Sequence, residues 1–298
     1  DALYPRVSAV QGNTGLKDII VFSLGEDLPA EGKNIYRFEK LLASSPNNSP
    51  KVDIDLDDIA IFQYTGGTTG IAKGAMLTHK NIMYNAYAVK CWLPNTEMGN
   101  ERSLVVLPLF HSYGMTTSMN TTILMAGTMI LVPRFEPQEV LELIKAYRPT
   151  QFHGVPTMYG ALLTQPNLKD YDLSSIKACL SGGAAMPVEI QKNFQAVTGA
   201  YVAEGYGLSE TSPVTHANPL GGKIKIGSIG IPFPDTDCKI VDAETGEKKM
   251  PVGEVGELII NGPQVMKGYW NMPEETAANL KSCLLYTSDA ADEEDSVD

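Results

Sequence analysis

Four glycines, three threonines and one lysine fall within the eleven residues Tyr64 to Gly74, YTGGTTGIAKG. Glycines let a backbone turn sharply and aim successive N–H groups at an anion. The hydroxyls of Thr65, Thr68 and Thr69 add donors, and Lys73 adds a charge. That chemistry suits a polyphosphate; the plain alternative is a Gly/Thr turn that holds nothing. The pattern is not a Walker A loop, which needs Gly-Lys followed by Ser or Thr, because Lys73 stands between Ala72 and Gly74. A second stretch, Glu204 to Pro213, reads EGYGLSETSP. Magnesium prefers a carboxylate combined with phosphate oxygens and waters, which makes Glu210 a metal candidate. Tyr206, between Gly205 and Gly207, has a planar face that can stack on a base. For an isolated tyrosine, core packing is the commoner role.

Alternating short strands and helices carry these residues. An apolar run, Ile59-Ala60-Ile61-Phe62, predicts a strand before the glycine loop, and Thr78-His79-Lys80-Asn81 predicts a helix start with Thr78 as N-cap. Further strands are expected at residues 103–107, 128–132, 151–154, 175–181 and 201–203. Helices are expected at residues 78–93, 137–147 and 187–197. In the second of these, Val140, Leu141, Ile144 and Tyr147 recur at helical spacing, and Pro149 follows. In the third, Pro187 sits near the first turn and Gly199 just past the end. Such alternation argues an α/β layered fold with a largely parallel sheet. Ser181-Gly182-Gly183-Ala184 then falls at a strand's carboxyl end, where such sheets bind ligands. After about Gly221 the texture changes to short segments, 227–231, 237–241 and 257–260, between Gly, Pro and Asp turns. That reads as a small β subdomain.

Length and composition bound the rest. The 298 residues, 43% of them hydrophobic, describe a globular chain with a substantial core. A net charge of −12 argues against a nucleic-acid partner. Asp289, Asp292, Glu293, Glu294, Asp295 and Asp298 supply half of it, so the remainder says little about partners. Cys91, Cys179, Cys238 and Cys283 form no CxxC pair, so neither zinc nor a disulfide framework is expected. A reducing, cytoplasmic setting fits. The most apolar segment, residues 123–132, is too short to span a bilayer. The chain opens on Asp1 without a signal peptide, and its true start is expected to lie upstream.

Together, the two motifs resemble the adenylate-forming superfamily of acyl-CoA synthetases, peptide-synthetase adenylation domains and luciferases. The GGTTG form and the continuation ETSPVTHANP to Pro219 look most like bacterial long-chain fatty acid–CoA ligases. The resemblance runs over roughly residues 54–280. It implies ATP and magnesium, a fatty acid and CoA as substrates, and a two-step ligase reaction through acyl-AMP. It assigns the β and γ phosphates to Thr65, Gly66, Gly67, Thr68, Thr69, Gly70 and Lys73, and the metal to Thr65 and Glu210. Gly182, Gly183 and Ala184 would face the adenosine part, with Glu204, Gly205, Tyr206, Gly207 and Ser209 completing the nucleotide site. His111, in PLFHSYG, resembles the family's gate beside the substrate carboxylate. His153, Gly154, Val155, Pro156 and Thr157 would line the acyl tunnel, and Gly205 would also face the acyl group. A structural role remains open for His111, and a plain strand-to-helix turn for residues 153–157. His79 and His216 read as structural. Peripheral contact with the inner face of a membrane is compatible with a fatty acid substrate. Oligomeric state and chain-length preference are not legible.

Residues 1–220 are expected to form the α/β core, incomplete at its start, and residues 221–280 a β-rich subdomain of the same large domain. Residues 281–298 would be a disordered or artefactual tail. Within it, CLLYTSDAADE, Cys283 to Glu293, resembles translated read-through of a sequencing-library adaptor. The family would continue instead to a Thr-Gly-Asp that grips the ribose, then to a hinge and a small domain with a catalytic lysine. On this reading the chain stops inside the large domain and does not complete the ligase reaction alone. Two alternatives stay open: a ligase for an aryl or medium-chain acid, and a non-catalytic ATP- or acyl-binding module.

Overall fold

Strands at Gln151–His153 and Ala178–Ser181 are buried at every position, as strands covered on both faces must be. They lie in the centre of the main sheet of a computed structural model that describes residues 3–23, 32, 34–65, 72–93, 95–281 and 284–287. The chain divides into two compact units, residues 1–53 and 54–298. The first contains α1 (Tyr4–Gln11), a parallel pair β1 (Ile19–Val21) and β2 (Ile35–Arg37), and α2 (Phe38–Ser44). Ile19 and Val21 form its small core with Tyr4, Val7 and Ile35.

The second unit opens with β3 (Ile59–Thr65), β4 (Lys73–Thr78) and α3 (His79–Trp92). Next come β5 (Arg102–Val105), a π-helical stretch Gly114–Asn120, α4 (Thr121–Leu124), β6 (Thr128–Leu131) and α5 (Pro137–Tyr147). The alternation continues through β7 (Gln151–His153), α6 (Pro156–Leu163), β8 (Ala178–Ser181), α7 (Val188–Thr198) and β9 (Tyr201–Gly207). It ends with β10 (Val214–Ala217), β11 (Ile231–Pro232), β12 (Asp237–Val241), β13 (Glu257–Asn261), α8 (Pro273–Asn279), β14 (Leu280–Lys281) and β15 (Leu284–Tyr286). The main sheet has the order β11-β10-β9-β8-β7-β5-β6. Pairing is parallel from β6 to β9 and antiparallel at β10 and β11. The mixed α/β architecture is the one the alternation implies.

Local chemistry explains several boundaries. The Asn81 N–H donates to Thr78 Oγ1 at 3.1 Å while the Thr78 N–H donates to Asn81 Oδ1 at 2.8 Å, a capping box that starts α3 where Thr78 predicts it. α7 ends at Gly199, whose φ of 71° is the left-handed stop a glycine supplies. Phe152 packs against Tyr159 and Phe194 at ring separations of 5.1 and 6.2 Å, locking α6 and α7 to one face of the sheet.

Three expectations need correction. The glycine loop does not lead from a strand into a helix: β3 and β4 are an antiparallel pair, with Thr65 opposite Lys73, and the loop joins them as a hairpin. Lys73–Thr78 is buried at nearly every position, and its glycine and lysine leave no apolar alternation to mark it as a strand. Residues 227–231 are mostly turn, with Gly227 at φ 74° and Gly230 at φ 91°, and only Ile231 enters a strand. The stretch after Phe110 is π-helical, a rare conformation found often at functional sites, and no residue pattern announced it. Downstream, β12, β13, β15 and β14 form a separate antiparallel sheet. Leu284–Tyr286, within the stretch expected to be a tail, pair there with β13, and Leu285 is buried.

Candidate active site

The β3–β4 hairpin is extended by a third segment, residues 267–270. The Lys267 N–H donates to Met76 O, the Met76 N–H to Gly268 O and the Trp270 N–H to Gly74 O, at 2.8–2.9 Å. Gly268 is needed here: its φ is 137°, and a Cβ would come within 2.7 Å of Thr276. Thr276 Oγ1 accepts from the Tyr269 N–H at 2.9 Å and donates to Met272 O at 2.8 Å, which fixes the start of α8 against this edge. Helix α8 thereby sets Glu275 beside Lys73, with Lys73 Nζ 2.8 Å from Glu275 Oε2.

Glu210 comes from the opposite direction. It sits on a single 3-10 turn, Ser209–Thr211, after β9. The turn is tight: the Leu208 N–H donates to Pro213 O at 3.0 Å, and a Cβ on Gly207 would lie 2.1 Å from that oxygen. The Met266 N–H donates to Glu210 O at 2.8 Å, and Tyr269 Oη donates to Glu210 Oε1 at 2.7 Å. The Lys73 ammonium lies 5.6 Å from the centre of the Tyr269 ring. Lys73, Glu210 and Tyr269 are 6%, 4% and 5% exposed, so a buried cation and a buried carboxylate share one tyrosine. Thr65 ends β3 directly across from Lys73. Gly66, Gly67, Thr68, Thr69 and Gly70 lie outside the described residues.

A second group gathers at the carboxyl ends of the parallel strands. Tyr113 Oη donates to Leu180 O at 2.5 Å and lies 3.3 Å from Gly154 O. A Cβ on Gly182 would meet the Tyr113 ring at 3.2 Å, and Gly183 takes φ 82°. Gly183 and Ala184 are exposed, and the Gly182 N–H donates to Gly154 O at 3.3 Å. The turn after β7 and the turn after β8 are thus in contact. Glu204 Oε2 is buried and has no hydrogen-bond partner among the described residues. Desolvation raises the Glu204 pKa. Gly205 lies against the Leu180 side chain. Half-buried Tyr206 meets His216 edge to face at 6.3 Å and packs beside Leu208 and Met266.

The histidines differ from one another. His111 Nδ1 accepts the Tyr113 N–H at 3.1 Å, and burial lowers its pKa, so the ring is neutral at pH 7. Gln63 Nε2 donates to Phe110 O at 3.2 Å, tying the His111 segment to β3. His153 is wholly buried: the Leu180 N–H donates to its Nδ1 at 3.2 Å, Nε2 has no partner among the described residues, and desolvation brings its pKa down to about 4. Of its neighbours, Gly154 and Val155 adjoin the Gly182–Gly183 turn, Pro156 starts α6, and Thr157 faces outward. His216 lies between Thr215 Oγ1 at 2.9 Å and Cys238 Sγ at 3.3 Å.

The donor set suits magnesium. A buried carboxylate with one oxygen oriented by Tyr269, and a threonine hydroxyl on the adjoining hairpin, leave most of the coordination shell to phosphate oxygens and water, as Mg²⁺ prefers. Glu210 and Thr65 would hold it. Among the described residues, no group of three or more His, Cys, Asp or Glu could hold a metal without such help. Residue types near the motifs did not reveal Tyr269 and Glu275. The signal available was their place in GYWNMPEET, inside the stretch that carries the resemblance.

A hairpin with a glycine loop, an acidic turn after β9 and glycine turns at the strand ends agree with the family comparison: the chain belongs to the AMP-binding enzyme family, matching it over residues 8–270. It is 55% identical over 240 residues to a long-chain-fatty-acid–CoA ligase from Bacillus subtilis (strain 168), a match covering 80% of this chain and 42% of that protein. Among solved structures, ATP-bound MatB from Rhodopseudomonas palustris superposes with a TM-score of 0.76 at 32% identity, over 84% of this chain and 48% of that one. The anthranilate CoA ligase AuaEII in complex with anthranoyl-AMP superposes with a TM-score of 0.87 at 26% identity, over 96% and 54%. The chain therefore spans about half the length of these relatives.

Proposed function

We propose that this chain supplies the ATP- and acyl-binding part of a long-chain fatty acid–CoA ligase of the AMP-forming type. The observation that carries the reading is the buried pairing of Lys73 and Glu210 around Tyr269, at the root of the Thr65–Lys73 hairpin. In the proposed reaction a fatty acid carboxylate oxygen attacks the α-phosphorus of ATP. The bond from that phosphorus to the bridging oxygen breaks, and pyrophosphate leaves. The CoA thiol then displaces AMP from the acyl carbonyl. Two anions meet in the first step, so catalysis needs positive charge on the phosphates.

Lys73 supplies that charge, with the hydroxyl of Thr65 and the N–H groups of the hairpin loop. Magnesium would neutralise phosphate oxygens, with Glu210 and Thr65 as its protein ligands. The unfilled Oε2 of Glu204 is an acceptor suited to an exocyclic amine, and the Gly182–Ala184 turn offers a flat approach for adenosine. Tyr206 would stack on the base. Neutral His111 would stand beside the carboxylate without pairing with it, and residues 153–157 would border the acyl group. No helix among the described residues is long and apolar enough to cross a membrane; a cytoplasmic enzyme drawing fatty acid from a membrane face fits.

The test is a chimera in which the matched 240 residues replace those of the Bacillus subtilis protein. Acyl-CoA formation from palmitate, lost on Lys73→Met, is the expected result. A chimera that folds and releases no pyrophosphate with any acid refutes the reading. The likeness to an anthranilate ligase supports a second reading, in which the acid is aromatic. Competition between palmitate and benzoate in the same chimera separates the two.

A further inference from the structure

We propose that the acyl group taken by this chain carries a hydroxyl or carbonyl oxygen, met by a buried polar cluster under the π-helical stretch; this rests on the acyl site proposed above. Five side chains form the cluster. Ser103 stands on β5, Gln151 and His153 on β7, and Ser112 and Ser118 in the segment that runs from His111 into the π-helical stretch. All five are buried, Gln151 at 1% exposure and the others at 0%. Ser103 Oγ, Ser112 Oγ, Ser118 Oγ, Gln151 Oε1 and His153 Nε2 have no hydrogen-bond partner among the described residues.

Topology brings these groups to one face of the sheet. Successive side chains of a strand point to opposite faces. Phe152 packs with Tyr159 and Phe194 under α6 and α7, so its neighbours Gln151 and His153 face the other way. Ser103 is the register partner of Gln151 and shares its face. The π-helical stretch covers that face, packing on β5 and β7, and Gln151 Nε2 lies 3.9 Å from Met125 Sδ at the end of α4. Tyr113 Oη lies 3.3 Å from Gly154 O, which sets the Ser112 end of the covering segment at the His153 end of β7. Gln151 and Ser103 lie roughly 6–7 Å deeper, at about 3.3 Å per strand residue.

The donors and acceptors are mixed. His153 Nδ1 accepts the Leu180 N–H, and the ring, with a pKa of about 4, is neutral at pH 7, so its proton sits on Nε2. Gln151 Oε1 accepts, and each serine hydroxyl does both. Buried polar atoms are nearly always paired, and leaving one unpaired is costly. A plain hydrocarbon chain pairs with none of them. An oxygen on the chain accepts from His153 Nε2–H or a serine, and a hydroxyl also donates to Gln151 Oε1.

The full 298-residue chain is titrated by calorimetry with palmitate and with 2-hydroxypalmitate, 3-hydroxypalmitate and 16-hydroxypalmitate, each below its micelle concentration. At least one hydroxy acid should bind about tenfold or more tightly than palmitate, the scale of one hydrogen bond to a group otherwise left unpaired. His153→Leu should bring that ratio to within about twofold of one. It also takes the acceptor from the Leu180 N–H, so the double variant Ser103→Ala/Ser118→Ala, which removes only two hydroxyls, is measured beside it and should lower the ratio too. Thermal midpoints without ligand check that both variants fold. Palmitate binding as tightly as every hydroxy acid overturns the proposal and leaves the fatty acid reading standing; water pairing with the cluster would give that result. A ratio that neither variant lowers also overturns the proposal, because the preference would then arise elsewhere. A folded wild-type chain that binds none of the four acids overturns the acyl-site reading itself.

Discussion

Glu204 and Glu210 belong to one short motif, both are buried, and the fold gives them opposite surroundings. Glu210 stands on a tight turn facing the β3–β4 hairpin, where Tyr269 donates to it and a lysine lies across the same ring. Glu204 stands within β9 in the main sheet, with Oε2 lacking a partner among the described residues and its pKa raised by desolvation. A carboxylate among donors and a cation is in the surroundings that suit a metal ligand. A carboxylate against apolar walls tends to lose its charge and serves better as a neutral or weakly charged acceptor. On the proposed reading the two regions would divide the work of one ligand, the hairpin side meeting the polyphosphate and the strand-end side the uncharged base.

The largest effect that bears on this division is at Glu210. Glu210→Gln in the chimera should lower kcat/KM for ATP–pyrophosphate exchange roughly a hundredfold, the scale of removing one group that stabilises transition-state charge. It should also raise the Mg²⁺ requirement. Exchange at the normal rate would remove Glu210 from the site. Lys73→Met comes next, with a loss of about 10- to 150-fold in kcat/KM for ATP, from the roughly 1.5–3 kcal/mol of a charged hydrogen bond. Unchanged kinetics would place the phosphates elsewhere.

Gly207→Ala tests the turn that separates the two carboxylates. Its Cβ would lie 2.1 Å from Pro213 O, a backbone atom that cannot swing aside. The cost should be about 1–3 kcal/mol of stability, as for other overpacked sites, read from urea unfolding. Stability equal to wild type would mean that the β9–β10 turn relaxes freely.

Glu204→Gln is the smallest effect and the sharpest contrast. The raised pKa means that the folded chain binds the Glu204 proton more tightly than the unfolded chain does. Wild-type stability from this group is therefore fullest below the unfolded pKa near 4.5 and is lost as pH rises through the higher folded value. A neutral glutamine escapes that loss. The variant should gain stability over wild type at pH 7–8, with the gap closing by about pH 4. ATP use should change by less than about threefold, because the amide oxygen remains an acceptor. An ATP defect as large as that of Glu210→Gln would erase the distinction between the two carboxylates.

Much of this arrangement could be read from residue order. Thr78 announces a capping box, Gly199 a left-handed helix end and Val140, Leu141 and Ile144 a buried helix face, because each depends on neighbours within one or two turns. Lys73 and Glu210 were legible as candidates because loops that could meet phosphates need particular residue types. The hairpin was not legible, since Lys73–Thr78 forms a strand only by pairing with β3 on one side and residues 267–270 on the other. Nor was the π-helical stretch at Gly114. There the neighbour that excludes a larger side chain is Pro108 O, 2.4 Å from where a Cβ would stand.

By itself, the sequence determined the α/β alternation, the strand ends that carry the glycine turns, and which side chains could meet phosphate or metal. These follow from local periodicity and functional-group chemistry. Tertiary structure decided which of those groups share a site. Tyr269 and Glu275 have ordinary residue types in an unremarkable order, and they come beside Lys73 only because Gly268 lets one strand edge run past β4 and Thr276 pins α8 behind it. The placing of a buried cation and a buried carboxylate against one tyrosine is a property of three chain segments meeting, because it depends on distance in space and not on distance along the chain.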